Sequence, residues 1–140
     1  MKKSIGDVNF GIDRLNRILN NLRRYHYASR EHVLFEILVE CDRQPEYICH
    51  LDISDFHPDP PSPYLSFLDQ NDRKATVGDG KNHKEKFSIS SDLVYLINDY
   101  LNDKRIEQSS GGRKPLITTK NGRIPKSAVR VFLYQWTSRS

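Results

Sequence analysis

The segment ECDRQPEYICHLDISDF, residues 40–56, decides how the rest of the sequence is interpreted. An apolar helical pattern runs into a polar stretch that carries Arg43 and Glu46, and the chain becomes apolar again at Ile48 and Leu51. A helix end usually needs a capping residue and often a glycine, not an arginine between two apolar segments. Arg43 is therefore predicted to have either a structural or a functional partner.

Upstream of this segment, the spacing of apolar residues predicts two helices. From Gly11 to about Tyr27, apolar residues recur at spacings of three and four residues, with arginine and asparagine between them. These apolar residues are Ile12, Leu15, Leu19 and Leu22. Ser29 is placed to cap a second helix. Its predicted buried stripe is Leu34, Ile37, Leu38 and Cys41, and its predicted solvent-facing residues are Glu31, Glu36 and Glu40.

Downstream, the sequence predicts a short helix and a hairpin. Pro45 suits the first turn of a new helix, and the prolines of HPDPPSP, residues 57–63, end regular structure. YLSFLD (Tyr64 to Asp69) and KEKFSIS (Lys84 to Ser90) read as antiparallel strands. The connection between them contains TVGDGKNH, which gives the hairpin a basic tip.

The C-terminal part predicts two more helices and a small turn. Ser90 or Ser91 can cap a helix from Asp92 to about Arg105. LITT, residues 116–119, is predicted to form a short strand and KNGR, residues 120–123, a turn. Pro125 introduces a last helix with an apolar stripe of Val129, Phe132, Leu133 and Trp136.

These elements predict an α+β fold that is mostly helical, with a small antiparallel hairpin or three-stranded sheet. We treat residues 1–10 as an N-terminal tail and residues 11–140 as one domain, because 140 residues with 36% hydrophobic content suit a single core. A run of eighteen apolar residues and a signal peptide are both missing from the sequence. The protein is therefore expected in the cytoplasm, without a membrane partner.

The cysteines and histidines do not predict a metal or cofactor site. Cys41 and Cys49 have a spacing that suits neither a structural zinc site nor a disulfide scaffold, so both are predicted to be buried free thiols. The five histidines are scattered without close ligand spacing. We expect no metal and no cofactor.

The positive charges are gathered near predicted turns. The formal net charge is +4, with a pI of about 9.1, which permits a polyanionic partner without requiring one. Such clusters are most often solvated surface, but their gathering at the hairpin and the two C-terminal loops favours contact with a DNA backbone. The predicted phosphate contacts are Lys84, Lys86, Arg113, Lys120, Arg123 and Lys126.

The order of these pieces resembles the catalytic domain of the tyrosine recombinase (phage integrase) family, and particularly its archaeal members. In that family an arginine lies in a T-G-x-R-x-x-E-L turn that is followed by a leucine and an x-S-D element. The segment 40–56 matches this pattern at Arg43, Glu46, Leu51, Ser54 and Asp55. The hairpin segment GKNHKEK matches the family pattern G-K-G-N-K-E-R at Gly80, Lys81, Lys84 and Glu85.

The resemblance implies a metal-free attack by a tyrosine on a DNA phosphodiester. Arg43 would stabilise the charge on the non-bridging oxygens, because its guanidinium is planar and permanently charged. Lys81 would donate a proton to the leaving 5′-oxygen. Glu46 would orient the arginine or its helix. Taken without the resemblance, Arg43 can equally pair with Asp42, Glu46 or a helix carbonyl, and Lys81 is a solvated loop lysine.

The resemblance is incomplete at the C-terminal end. The family completes its site with a His-x-x-Arg box and a nucleophilic tyrosine, but this sequence has no histidine after His83. The later tyrosines, Tyr95, Tyr100 and Tyr134, lie on or beside apolar helix stripes. We therefore expect a domain truncated before the box and without the family's N-terminal DNA-clamping domain. Glu40 and Cys41 also replace the family's Thr-Gly, which would weaken the presentation of Arg43.

Three functions follow from these observations. The first is a truncated recombinase-like protein linked to DNA integration and recombination, which binds duplex or junction DNA but lacks strand cleavage by itself. The second is a non-enzymatic DNA-binding or regulatory remnant that associates with a full-length recombinase, and the third is a structural module without a DNA role. Truncation is expected to expose apolar surface, so self-association or a partner is predicted to cover Phe132 and Trp136.

Overall fold

The computed structural model describes residues 2–5, 8–42, 44–68, 84–107 and 112–139. Within these residues the helices are α1 (Ile12–Tyr25), α2 (Arg30–Cys41), α3 (Pro45–Cys49), α4 (Ser91–Asp99) and α5 (Lys126–Arg139). The strands are β1 (Lys2–Ile5), β2 (Val8–Gly11), β3 (Phe56–His57), β4 (Tyr64–Leu68), β5 (Lys84–Ser88), β6 (Thr118–Thr119) and β7 (Gly122–Arg123). This is the predicted α+β architecture, with helices predominating.

Helix α2 is the centre of the core. Ser29 caps it as predicted, because the Ser29 Oγ accepts a hydrogen bond from the His32 amide at 3.1 Å. The predicted stripe is buried, but the neighbouring positions Val33 and Phe35 are fully buried as well. Helix α2 is therefore enclosed around most of its circumference, and the amphipathic helix α1 packs against it through Ile18, Leu19 and Leu22.

Glu36 was expected to face water, and this expectation is wrong. Its side chain is only 18% exposed, since it accepts hydrogen bonds from Arg23 of α1 at 2.8 and 2.9 Å and lies 3.1 Å from His32 Nε2. Burial acts to raise the pKa of Glu36, but the hydrogen bonds from His32 and Arg23 outweigh it and lower the pKa to about 2. We call Arg23, His32 and Glu36 the α1–α2 network.

The connection from α2 to α3 is very short. Asp42 ends α2 in the left-handed conformation at φ 51°, and its amide donates to the Leu38 carbonyl at 3.0 Å. Gln44 is extended and Pro45 opens α3, as its position in the sequence predicts. Arg43 stands between these two residues in the chain and lies outside the described residues.

The predicted hairpin is present and is extended by one strand. In the order β3-β4-β5, all neighbours are antiparallel, and Leu68 pairs with Lys84 at the end of the hairpin. One face of the sheet carries Leu65 and Phe67 into the core. Because side chains alternate along a strand, the other face carries Lys84 and Lys86 outward.

Two of the described strands, β1 and β2, lie within or next to residues 1–10, which the sequence analysis treats as an N-terminal tail. Strands β1 and β2 pair antiparallel, with Ile5 opposite Val8 and Lys2 opposite Gly11. Two residues, Gly6 and Asp7, separate the paired ends in the sequence, and Gly-Asp between two strand-forming runs is a known hairpin signal.

The C-terminal part wraps around the end of α4. Ser90 caps this helix, which continues from Asp99 into a π-helical turn (Tyr100–Lys104), so the predicted helix to about Arg105 divides into two forms. Tyr100 is buried, and its hydroxyl accepts a hydrogen bond from the Thr118 amide at 3.2 Å. The predicted strand and turn at 116–123 form the small β6–β7 hairpin.

Helix α5 packs into the core through Val129, Phe132 and Leu133, of which Phe132 was predicted to be covered by a partner. Phe132 is 7% exposed and packs edge-on against Phe35, with ring centroids 6.1 Å apart, so its expected exposure is wrong. The side chain of Trp136 lies outside the described residues. None of the described helices is both long enough and apolar enough to cross a membrane.

Both cysteines are buried free thiols, as the sequence predicts. Burial raises the pKa of the Cys49 thiol to about 11. Within the described part of the chain, no three His, Cys, Asp or Glu side chains are arranged to hold a metal ion.

Candidate nucleic-acid interface

A polar cleft of about 630 Å³ opens between the end of α3, the outer face of the sheet and the β6–β7 hairpin. The wall nearest α3 includes a 3₁₀ turn (Ile53–Asp55) that leads directly into β3. The cleft is lined by Tyr47, His50, Leu51, Asp52, Ser54, Asp55, Ser66, Leu68, Lys84, Arg113 and Arg123. Three of the predicted phosphate contacts, Lys84, Arg113 and Arg123, are thus brought together from distant parts of the sequence.

Arg123 holds one wall of the cleft in place. Its Nη1 donates to the carbonyl oxygens of Cys49 and Leu51, both at 3.0 Å, and its Nη2 donates to the carboxylate of Asp52. These acceptors lie at the C-terminal end of α3 and just beyond it, where backbone carbonyls lack helical partners. Arg123 therefore joins the β6–β7 hairpin to α3, and both of its terminal nitrogens are engaged within the protein.

Lys84 is also engaged by a carboxylate. Its Nζ donates to Asp55 Oδ1 at 2.5 Å, and the side chains of the two residues are 34% and 6% exposed, respectively. Asp55 is held by a capping box, in which its Oδ2 accepts from the Asp52 amide at 2.8 Å. The outer face of β5 is therefore tied to the 3₁₀ turn.

Arg113 stands apart from the other two cations of the cleft. It is exposed, and within the described part of the chain its side chain forms no hydrogen bond or ion pair. Residues 114–116 follow it and pair with residues 51–53, because the Ile53 amide donates to Lys114 O at 2.8 Å and the Leu116 amide to Leu51 O at 2.9 Å. This pairing fixes Arg113 at the rim of the cleft.

An aromatic and cationic row continues the cleft along the outer face of the sheet. The rings of His57 and Tyr64 stack at 4.2 Å with an interplanar angle of 16°, and Lys86 Nζ lies 5.0 Å from the centroid of Tyr64. Tyr64 and Lys86 share this face with Lys84. The predicted contact Lys86 therefore lies beside the cleft rather than in it.

Glu46, Lys120 and Lys126 are further predicted site residues that the structure describes, and none of them lines the cleft. The Glu46 carboxylate of α3 accepts a hydrogen bond from Lys126 Nζ, at the start of α5, at 3.4 Å. Lys120 is exposed on the β6–β7 turn. Arg43 and Lys81 lie outside the described residues, although the described ends of α2 and β5 flank them in the chain.

Asp52 and Asp55 are the site residues that the sequence analysis missed as functional. Asp55 was recognised only as part of the x-S-D match, and Asp52 was not singled out. The spacing D-x-x-D before a short turn is a capping signal, so the turn could have been predicted from it. Their pairing with Arg123 and Lys84, 71 and 29 residues away, has no local signal.

This arrangement of helices, sheet and hairpins has a counterpart among solved structures. A structure described as "Crystal structure of XerA recombinase" matches with a TM-score of 0.68 and 12% sequence identity. The fold is recombinase-like. The match covers 97% of this chain and 43% of the XerA recombinase chain, so this chain spans less than half the length of that protein.

The recombinase-like fold confirms the resemblance inferred from the sequence at the level of architecture. At this identity it shows the fold alone. No protein-family model matches the sequence, and no curated protein matches it either. The roles of Arg43, Lys81 and Glu46, the truncation and the archaeal character stay predictions.

Proposed function

We propose that this chain is a recombinase-like protein of DNA integration and recombination that binds DNA phosphates and does not cleave strands by itself. The observation that carries the proposal is the cleft. In a recombinase-like fold covering 97% of the chain, Lys84, Arg113 and Arg123 line one cavity next to the segment that bears Arg43. Cations in a concave surface attract a polyanion and neutralise its backbone charge.

In this proposal Arg43 contacts the non-bridging oxygens of a phosphate, and Lys81 approaches from the hairpin. Glu46 and Lys126 hold the start of α3 and α5 together at 3.4 Å, which orients the segment that follows Arg43. Lys86 and Lys120 extend the contact along the DNA backbone. These contacts position a duplex without reading its bases.

Strand cleavage is not proposed for this chain alone, because the sequence contains no histidine after His83 to form a His-x-x-Arg box. Of its later tyrosines, Tyr100 is buried and bonded to Thr118, whereas Tyr95 and Tyr134 are exposed, at 67% and 75%. A nucleophilic tyrosine needs an adjacent activating base, and a histidine is not available for this role in the sequence after His83.

The test is binding to a labelled 20-base-pair duplex and a four-way junction, followed by fluorescence anisotropy across a salt series. Affinity is expected to fall linearly on a log–log plot, and Arg43→Ala and Lys81→Ala should each reduce the slope by about 0.9. Matched controls are Arg24→Ala and Lys104→Ala, which remove exposed cations outside the cleft. Absence of binding by the parent at low salt would overturn the proposal.

A second measurement addresses cleavage. The parent is incubated with DNA carrying a nick that traps covalent intermediates, and the products are separated under denaturing conditions. We expect no protein–DNA adduct. An adduct lost in Tyr134→Phe or Tyr95→Phe would show that the chain cleaves DNA by itself.

A further inference from the structure

The three cations of the cleft are not equally available to a ligand. Both terminal nitrogens of Arg123 donate hydrogen bonds to protein acceptors, and Lys84 Nζ donates a hydrogen bond to Asp55. Arg113 is exposed and forms no ion pair with another described residue. The cleft therefore contains three kinds of cation. Arg123 is held by several protein acceptors, Lys84 is paired with one carboxylate, and Arg113 is exposed.

Lys84, and not Asp55, is the partner that can move. The carboxylate of Asp55 is 6% exposed and is held by the amide of Asp52 at 2.8 Å, within a capping box. Lys84 is on an outward-facing position of β5, with a flexible four-carbon stem and a side chain that is 34% exposed. Its ammonium can leave Asp55 by rotation of that stem, while the buried carboxylate stays in place.

A carboxylate and a phosphate present the same kind of acceptor to an ammonium group. Phosphate bound in the cleft therefore competes with Asp55 for Lys84. Withdrawal of Lys84 also leaves a buried carboxylate without its ion pair, which is unfavourable. Both effects lower the affinity of the cleft for a polyanion.

We propose that Asp55 sets the affinity of the cleft for DNA by holding Lys84, so that Arg113 makes the first phosphate contact and Lys84 a later, weaker one. This inference rests on the proposed DNA-binding function. Asp55 acts through Lys84 and is a positioning residue. Its removal is expected to strengthen binding, whereas a purely structural role would weaken it.

The primary experiment compares the parent with Asp55→Asn in the same duplex titration. The asparagine keeps an oxygen that can accept from the Asp52 amide but loses the charge that holds Lys84. We expect affinity to rise about fivefold near 100 mM salt, and the salt slope to steepen by about 0.9, because one more cation reaches a phosphate.

Asp59→Asn is the matched control, since Asp59 is exposed and outside the cleft lining. It removes the same charge and reports the general electrostatic gain. The double variant Asp55→Asn/Lys84→Gln, compared with Lys84→Gln, should gain no more than this control gains. Equal effects of Asp55→Asn and Asp59→Asn would overturn the inference while DNA binding itself stands.

A second comparison does not depend on Asp55→Asn folding. In the parent background, Arg113→Gln should weaken DNA binding about fivefold and Lys84→Gln less than about twofold. Equal losses would overturn the proposed order of contacts. If neither the parent nor any variant binds DNA, both the proposed function and this inference are wrong.

Discussion

The α1–α2 network and the cleft both contain largely buried carboxylates paired with cations, but the two arrangements serve different purposes. In the α1–α2 network one carboxylate, Glu36, accepts from both Arg23 and His32, which satisfies both of its oxygens. In the cleft two carboxylates face three cations, so positive charge remains after the ion pairs are formed. The α1–α2 network stabilises the fold, whereas the cleft retains a positive charge that can bind an anion.

The comparison also separates two kinds of arginine. The side chains of Arg23 and Arg123 are both partly exposed, yet each donates hydrogen bonds to acceptors on another element. Arg113 differs because the pairing of residues 114–116 holds its backbone while its side chain is exposed. Whether a basic residue near a cleft stabilises the fold or is available to a ligand therefore depends on its hydrogen-bond acceptors. The net charge of the protein alone does not decide between these roles.

The largest expected effect comes from removing the structural arginine of the cleft. Arg123→Ala leaves the carbonyls of Cys49 and Leu51 and the carboxylate of Asp52 without their shared donor. We expect the free energy of unfolding to fall by about 3 kcal/mol, measured by urea denaturation. Lys114→Ala removes an exposed cation in the segment that pairs with residues 51–53; it is the control and should stay within about 0.5 kcal/mol. If the free energy of unfolding falls as little in Arg123→Ala as in the control, Arg123 is not a structural residue and belongs with the cations that face a ligand.

The next effect tests the α1–α2 network. Glu36→Gln should lower the free energy of unfolding by about 2 kcal/mol at pH 7, with the half-exposed Arg23 limiting the loss. The pKa of Glu36 is about 2 in the folded protein and ordinarily 4.5, so its contribution is present above pH 5 and disappears as the pH falls toward 2. The difference between parent and variant should at least halve at pH 3.

Glu31→Gln is the matched control on the same helix, because Glu31 is more exposed and pairs with Arg30 at 3.3 Å. It should change the free energy of unfolding by less than about 0.5 kcal/mol. DNA affinity should be the same in Glu36→Gln and in this control. A specific loss of DNA binding in Glu36→Gln would remove the functional distinction between the two networks.

A smaller effect is expected at the cap that joins α2 to α4. The Ser90 hydroxyl accepts from the Leu93 amide at 3.2 Å and donates to Glu40 at 2.8 Å. Ser90→Ala should cost about 1 kcal/mol in thermal or urea unfolding. Ser91→Ala, one position later, should have almost no effect. Equal effects of the two substitutions would contradict the observed cap.

The smallest effect is expected at Tyr27, which follows α1 and contacts Asp99 of α4. The Tyr27 hydroxyl donates to Asp99 at 2.6 Å, and this hydrogen bond raises the pKa of Tyr27 to about 12. Its contribution is present below pH 10 and is lost as the pH rises through 12. Tyr27→Phe should cost about 0.5 kcal/mol, since the site is half exposed. Ultraviolet titration, with Tyr25→Phe as the control, measures the pKa.

Local elements could be predicted from the sequence because their signals are local. Ser29 and Ser90 precede helices whose first amides need acceptors, and Pro45 opens α3 where no amide donor is required. The β4–β5 hairpin follows from alternation on both strands. The N-terminal hairpin was missed although Gly6-Asp7 carries a turn signal.

The parts that could not be predicted depend on contacts between distant residues. Glu36 reads as a solvent-facing position of an amphipathic helix until Arg23 and His32 are placed beside it. The change from α4 to a π-helical turn coincides with Tyr100, whose hydroxyl binds Thr118. The cleft was predicted only as a set of basic residues, because the carboxylates that engage them are set by tertiary packing.

The outward lysines of β5 have a consequence for solubility during such experiments. Within the described three-stranded sheet, β5 pairs only with β4 and is an edge strand, which is the position where a second chain can add to a sheet. Charged side chains such as Lys84 and Lys86 discourage that joining. A variant that neutralises both lysines to abolish DNA binding would therefore also favour intermolecular strand pairing at this edge. Single substitutions leave one lysine to oppose that pairing.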